Sequence, residues 1–365
     1  MNTAKPKIIV VGAGIVGASI AWHLARNGAA VTVLEQNCPA SGVTAKAFAW
    51  INVSHGVAAA NASLRKQALG DYRRLQNELG AALPIDWCGA LTWSSDPDRT
   101  DAMVLDHAAH GYDIRLIGRD EIAVLEPALL SPPECAAFAP CEGALDPVAT
   151  TDALIRAARE AGAIVRLTTP VMALAFDDAR VTGVVTGSGT IATDRVVLAT
   201  GLGTAALCAP LGIAPAIDTS PALLLRFRTP QPLLHRIVSG PAFECRQSSA
   251  TTIVAAEDYI DESAANGPQA VAQRTLAAMR RDLRGGADLV LEDVAAGLRP
   301  MPGDGLPIVG SVAAVPGLYL AVMHAGIVLA PTIGRIAAAE LLDGATDPIL
   351  ALCRPDRFAS AAAAR

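Results

Sequence analysis

Apolar and polar positions alternate between two regimes along the chain. Lys7-Ile8-Ile9-Val10-Val11 is an unbroken apolar run rich in β-branched residues, which suits a strand buried on both faces. The glycine-rich loop Gly12-Ala13-Gly14-Ile15-Val16-Gly17 follows, then a helical pattern to about Asn27, with Gly28 placed to end it. A second strand, Ala30 to Leu34, closes on Glu35. Further on, a helix is expected over Thr151 to Ala161, preceded by Asp146-Pro147 and ended by Gly162. Strands are expected over Ile164–Leu167, Val171–Phe176, Val181–Thr186 and Arg195–Leu198, the last running into Ala199-Thr200-Gly201. At the carboxy end a strand over Gly317–Val322 leads to His324-Ala325-Gly326-Ile327-Val328 and a helix to about Leu342 closed by Gly344, with Pro331 in its first turn.

The first βαβ pattern has a chemical purpose. Gly12 permits a tight turn, Gly14 lets backbone approach a pyrophosphate, and Gly17 lets helix pack closely on strand. The helix N-terminus presents N–H groups and a positive dipole end to phosphates. Glu35, 18 residues after Gly17, is placed to accept from ribose hydroxyls and disfavours a 2′-phosphate. The loop alone does not separate FAD from NAD.

Composition narrows the classes. The 365 residues are 52% hydrophobic and 18% charged, with mean hydropathy +0.37, yet no run of 18 apolar residues lacks Gly, Pro or charge. A membrane span is therefore not expected. The net charge of −6 offers no basic field for nucleic acid. The seven cysteines are scattered without a C-x-x-C pair, which reads as reduced thiols, neither a disulfide framework nor a zinc site. The polar start, Met1 to Lys7, leaves no room for a signal peptide, so a cytoplasmic location is expected. His107 and His110 have i,i+3 spacing but no carboxylate or cysteine at a spacing that would complete a metal site; they read as a solvated helix face, and no metal is expected.

The back end decides for flavin. Arg299-Pro300-Met301-Pro302-Gly303-Asp304-Gly305-Leu306-Pro307-Ile308-Val309-Gly310, the strand after it and the His324-to-Pro331 turn resemble the D-amino-acid oxidase superfamily, within it the glycine oxidase and sarcosine oxidase group. Gly12 to Glu35, Asp146-Pro147 and the 199–201 strand end fall in the matching order. The resemblance implies a glutathione-reductase-like, Rossmann-type α/β domain binding FAD (residues 1–80, 145–215 and 295–365). Interleaved with it would be a substrate domain (81–144 and 216–294) carrying an antiparallel sheet. It implies that the turn from His324 to Val328 wraps the flavin pyrimidine, and that Gln36, Ser41, Thr44, Ala45 and Lys46 lie along the pyrophosphate and ring edge. Val171 would meet the adenine. Cysteine is absent just before Arg299, so the flavin is expected to be non-covalent.

In such an enzyme the protein's main task is to hold a carboxylate while hydride leaves the α-carbon. Arg299 is the candidate, since a guanidinium grips a carboxylate in a bidentate manner. Arg246 offers a second anion contact or a salt bridge to Glu244, and His324 either polarises near the flavin or packs at a helix entrance. Trp50, His55, Phe243 and Tyr259 are pocket walls or ordinary core.

Within the inserts, strands are expected at Ser220–Phe227, Phe243–Gln247 and Thr251–Ala255, a helix at Gln269–Leu283, and a proline-rich loop from Leu130 to Pro140. The expected reaction is oxidation of a small amino or imino acid, or an N-substituted glycine, with oxygen or an electron carrier as acceptor. A 2-hydroxy-acid or polyol dehydrogenase is the alternative on the same fold, and a flavin-carrying subunit the alternative of another class. A homo-oligomer is compatible with either.

Overall fold

The computed structural model describes residues 5–54, 59–213, 215–258 and 263–361, so His55 and Tyr259 lie outside the described residues. Its central sheet has six strands in the order Ile308–Ser311, Leu318–Val322, Arg195–Leu198, Lys7–Val11, Ala30–Leu34, Ile164–Arg166. All neighbours pair in parallel except Ile308–Ser311 with Leu318–Val322. The apolar run at the amino end thus sits two strands from the apolar run near the carboxy end, with Arg195–Leu198 between.

The first helix (Ile15–Arg26) packs between the last helix (Gly326–Asp343) and the helix Pro147–Glu160. Its contact with the last helix is made close by Gly334. A Cβ on that residue would lie 2.7 Å from His23 Nδ1 and 2.9 Å from the Ser19 carbonyl carbon. His23 is tied at 2.8 Å to the Ser19 carbonyl oxygen, and burial drives its pKa down to about 4, so the imidazole is neutral at the packed face. Asp146 caps the helix Pro147–Glu160 by accepting from the Val148 and Ala149 N–H groups, both at 2.9 Å. That helix therefore begins four residues before its expected start.

Pro331 lies inside the last helix and not in its first turn. A proline there withholds the N–H that would bond the Ile327 carbonyl. The hydroxyl of the buried Tyr72 donates to that carbonyl instead. The helix can thus begin at Gly326 and still carry a proline.

A second, eight-stranded sheet runs Val290–Pro302, Ile217–Arg228, Thr252–Glu257, Glu244–Ser249, Ile237–Ser239, Ala90–Thr92, Cys135–Ala139, Arg115–Gly118. It is antiparallel except where Ile237–Ser239 meets Ala90–Thr92. The helix Pro268–Asp282 packs on it with Val271, Leu276 and Met279 in a core separate from that of the central sheet. The expected 130–140 loop needs correction: its prolines bracket a buried strand, Cys135–Ala139, whose small residues fit between two neighbours. The helices Ala59–Leu79 and Arg119–Leu125 were not among the expected elements, whereas Pro97–Ala109 is the helical stretch read beside His107 and His110.

His107 is buried, its Nδ1 2.8 Å from the Met103 carbonyl and its ring 5.5 Å from that of Tyr112, which corrects the solvated-face reading for that residue, while His110 is exposed. All seven cysteines are free thiols. Among the described residues no helix is long and apolar enough to cross a membrane, and no cluster of His, Cys, Asp and Glu could hold a metal ion.

The helix contact gives a direct test. Gly334→Ala is expected to destabilise the fold by about 1–3 kcal/mol, as overpacking in a close-packed interior does. Chemical denaturation of the variant against wild type measures it.

Candidate active site

The nucleotide cradle is built by glycines that have no room for a side chain. Gly12 has φ +98°, and a Cβ there would lie 2.6 Å from the Ala199 carbonyl oxygen. A Cβ on Gly17 would collide with the Gly12 carbonyl. A Cβ on Gly14 would meet only Thr44 Oγ1, at 3.2 Å, so its backbone is bare toward the open side. Thr44 also accepts from the Ile15 N–H at 3.3 Å, which ties the 43–46 turn to the start of the first helix. The Glu35 carboxylate accepts from Ala13 N–H at 2.7 Å and Asn37 N–H at 2.9 Å, which fixes its plane.

These elements open onto one cavity of about 900 Å3. Its lining joins the front loop (Gly12, Gly14, Ile15, Val16), Glu35 and Gln36, the turn residues Ser41, Thr44 and Lys46, Val171, and the strand end Ala199–Gly201 to the carboxy-terminal turn His324–Val328. Ala13, Gly17 and Ala45 stand behind this lining and shape it through backbone. The two helix N-termini meet here: a Cβ on Gly326 would be 3.5 Å from Val16 Cγ2. Two positive dipole ends therefore face one cavity, a setting that favours anionic groups. Glycine cradle, anchored carboxylate and paired helix starts fit the phosphates, ribose and pyrimidine end of FAD.

The other wall comes from the eight-stranded sheet and the 47–52 segment. Arg299 lines the cavity; its Nη2 donates to Ser220 Oγ at 2.7 Å, to the Pro221 carbonyl at 3.3 Å and to Asp258 Oδ1 at 2.9 Å. Its Nε is buried and has no hydrogen-bond partner. Asp258 is 79% exposed, so this ion pair is weakly held by solvent-screened charge and open to competition from another carboxylate. Trp50 also lines the cavity, whereas Phe243 is buried in the core of the roof sheet.

Arg246 does not reach the cavity and makes no ion pair with Glu244. Its Nε and Nη2 donate to the Phe48 and Leu145 carbonyls at 2.8 and 3.0 Å, and the guanidinium stacks on the Phe48 ring. Burial lowers its pKa to about 10, and the residue works as a pin between the roof sheet and the cavity wall. The pinned segment holds Ala49 at φ +60°, a left-handed conformation that glycine would adopt more easily.

Arg65, Asn52 and Glu244 are among the lining residues that were not recognised as site residues from sequence. Arg65, on the helix Ala59–Leu79, is buried, and its Nη1 donates to Asn52 Oδ1; both line the cavity. Burial pulls the Arg65 pKa down while the fully buried Glu142 opposes the shift. Glu244 also lines the cavity, from the roof sheet. The helix is polar overall, so nothing in its pattern marks Arg65 as inward-facing.

Comparison with known proteins agrees with this geometry. The family described as DAO, FAD dependent oxidoreductase, matches residues 7–340. A D-amino acid dehydrogenase of Cereibacter sphaeroides is 27% identical over 420 aligned positions, 93% of this chain and 92% of that protein. The glycine oxidase of Geobacillus kaustophilus is 23% identical, over 92% of this chain and 93% of the relative, and its crystal structure superposes with a TM-score of 0.83. A 4-methylaminobutanoate oxidase (formaldehyde-forming) of Paenarthrobacter nicotinovorans is 31% identical over 57% of this chain, which spans 26% of that longer protein. The cavity's lining fits the FAD that such enzymes bind, and the chain belongs to the DAO family of FAD-dependent oxidoreductases.

Proposed function

We propose that the protein oxidises the C–N bond of a small amino acid or N-substituted glycine to an imine, which water hydrolyses to a 2-oxo acid and an amine or ammonia. The observation that carries this reading is the Arg299 guanidinium on the same cavity as the two helix N-termini. Names of full-length relatives, a D-amino acid dehydrogenase and a glycine oxidase, support the substrate class. Bound FAD supplies the two-electron acceptor.

The protein's own residues bind, orient and exclude water. Arg299 takes the substrate carboxylate through its Nη2 side as the exposed Asp258 yields. Arg65, held by Asn52, adds positive potential on the facing wall. Phe48, Trp50 and Leu223 give the remaining wall an apolar surface that strengthens these charge contacts. The turn keeps one residue, Ala325, between His324 and Gly326, which leaves room for an N-alkyl tail. The N–H groups at the helix start at Gly326 would stabilise negative charge on a flavin bound beside them.

No cysteine is among the described residues lining the cavity, in keeping with non-covalent FAD, expected to be released completely by acid precipitation. Glu35→Gln is expected to weaken FAD binding by roughly tenfold, the scale of one hydrogen bond to a charged acceptor, as read by flavin fluorescence. Anaerobic mixing with glycine, sarcosine, longer N-alkylglycines, D-amino acids and 2-hydroxy acids tests the reaction. Bleaching of the flavin absorbance by an amine is expected, with Arg299→Ala raising the apparent dissociation constant by roughly 10- to 100-fold. Bleaching by hydroxy acids alone would overturn the proposal.

A further inference from the structure

Two carboxylates are found among the described residues that line the cavity, Glu35 and Glu244. Glu35 is committed to the N–H groups of Ala13 and Asn37 beside the first helix. Glu244 stands on the roof sheet, where its Oε2 accepts from the hydroxyl of its cross-strand neighbour Ser239 at 2.9 Å. Among the described residues it makes no ion pair, so the bonds that hold it are to a neutral group. Asp258 follows the strand Thr252–Glu257, which pairs with Glu244 on one side; Asp258 is itself bonded to Arg299. The roof thus offers the cavity a guanidinium and a carboxylate, with a displaceable Asp258 acting on both.

That pairing matches a zwitterion. A carboxylate-bearing substrate with an amine on the adjacent carbon carries one negative and one positive charge at neutral pH, and its nitrogen must lose a proton before the C–N bond can be oxidised. We infer that Glu244 receives the substrate ammonium group and takes up its proton, an assignment that rests on the amine-oxidation reading above. In this step an N–H bond breaks as an O–H bond forms on a Glu244 oxygen, so ammonium and carboxylate become amine and carboxylic acid. The electron pair left on nitrogen is the pair that the C=N bond needs. The α-hydrogen leaves with its two electrons for the oxidant, FAD, and the proton on Glu244 is returned to solvent.

The electrostatics suit the task. Burial pushes the Glu244 pKa up to about 7; the Ser239 bond opposes this, Asp258 adds to it and Arg299 opposes it. Glu244 in turn helps to raise the pKa of Glu257, next in the paired strand, and Lys46, Arg65 and His324 line the cavity with Glu244. A carboxylate titrating near neutrality is a better proton acceptor than a solvated one and still gives the proton up in turnover. Since the ionised form is the acceptor, ammonium binding is present above pH 7 and lost as pH falls through it.

The test uses two probes that cannot be oxidised, because neither has an α-hydrogen. 2-Aminoisobutyrate and pivalate are isosteres that share the carboxylate and differ by an ammonium in place of a methyl group. Their affinities for the FAD-loaded enzyme are read from the perturbation of the flavin absorbance. Wild type is expected to prefer 2-aminoisobutyrate at pH 8 and to lose about tenfold of that preference at pH 6, as Glu244 protonates. Glu244→Gln is expected to lose about tenfold in affinity for 2-aminoisobutyrate and to keep pivalate within about twofold. Taking the ratio of the two probes cancels titration effects on the shared carboxylate, and the wild-type pH series needs no variant to fold. A preference that is pH-independent, or undiminished in Glu244→Gln, overturns the assignment to Glu244 alone. Wild-type enzyme that binds pivalate and 2-hydroxyisobutyrate without preferring the amine overturns the amine-oxidation reading and the proposal with it.

Discussion

The close contact between the first and last helices is the constraint on which the site depends. Helices separated by roughly 300 residues of sequence start at the same cavity because Gly334 lets one close on Ser19 and His23 of the other. A neutral His23, bonded back to the Ser19 carbonyl, keeps the packed face free of charge. The central sheet supports the arrangement from below, with Arg195–Leu198 hydrogen-bonded to a strand from each end of the chain. Tyr72 completes it by satisfying the Ile327 carbonyl that Pro331 leaves without its helical donor. Two dipole ends thus converge over a packed face whose histidine is neutral.

Charge enters from the other side. The roof sheet and the helix Ala59–Leu79 bring Arg299, Glu244 and Arg65 to a cavity whose nucleotide half is mostly backbone and small residues. The division follows from what each half has to recognise. A pyrophosphate is met by N–H groups that approach closely, so side chains are removed there. On the proposed reading an amino acid is met by directional charge, and rigid strands carry the ionisable groups while Arg246 pins the sheet to the 47–52 wall through carbonyl oxygens.

The nucleotide half was legible in sequence because its logic is local. Gly12, Gly14, Gly17 and Glu35 stand within one βαβ unit, and the segment from Arg299 to Val328 carries a motif of comparable density. What escaped is tertiary. Arg65 sits in a polar helix and differs from its exposed neighbours only by the face it turns inward. Glu244 reads as a natural partner for Arg246, yet their strand places Arg246 against carbonyls and Glu244 against the cavity. Cys135–Ala139 looked like part of a loop because prolines flank it, although the small residues between them are what a crowded sheet needs. Ala49 takes a left-handed conformation usually signalled by glycine, so no sequence mark announced that turn.

The central claim is that one flavin is gripped at once by both ends of the chain. Amide hydrogen exchange of the apoprotein against the FAD-loaded protein measures this most directly. The account predicts that FAD slows exchange in two segments together, residues 12–17 and residues 325–328, with parallel dependence on FAD concentration. Protection confined to the amino-terminal loop, with the 325–328 turn unchanged, would contradict it.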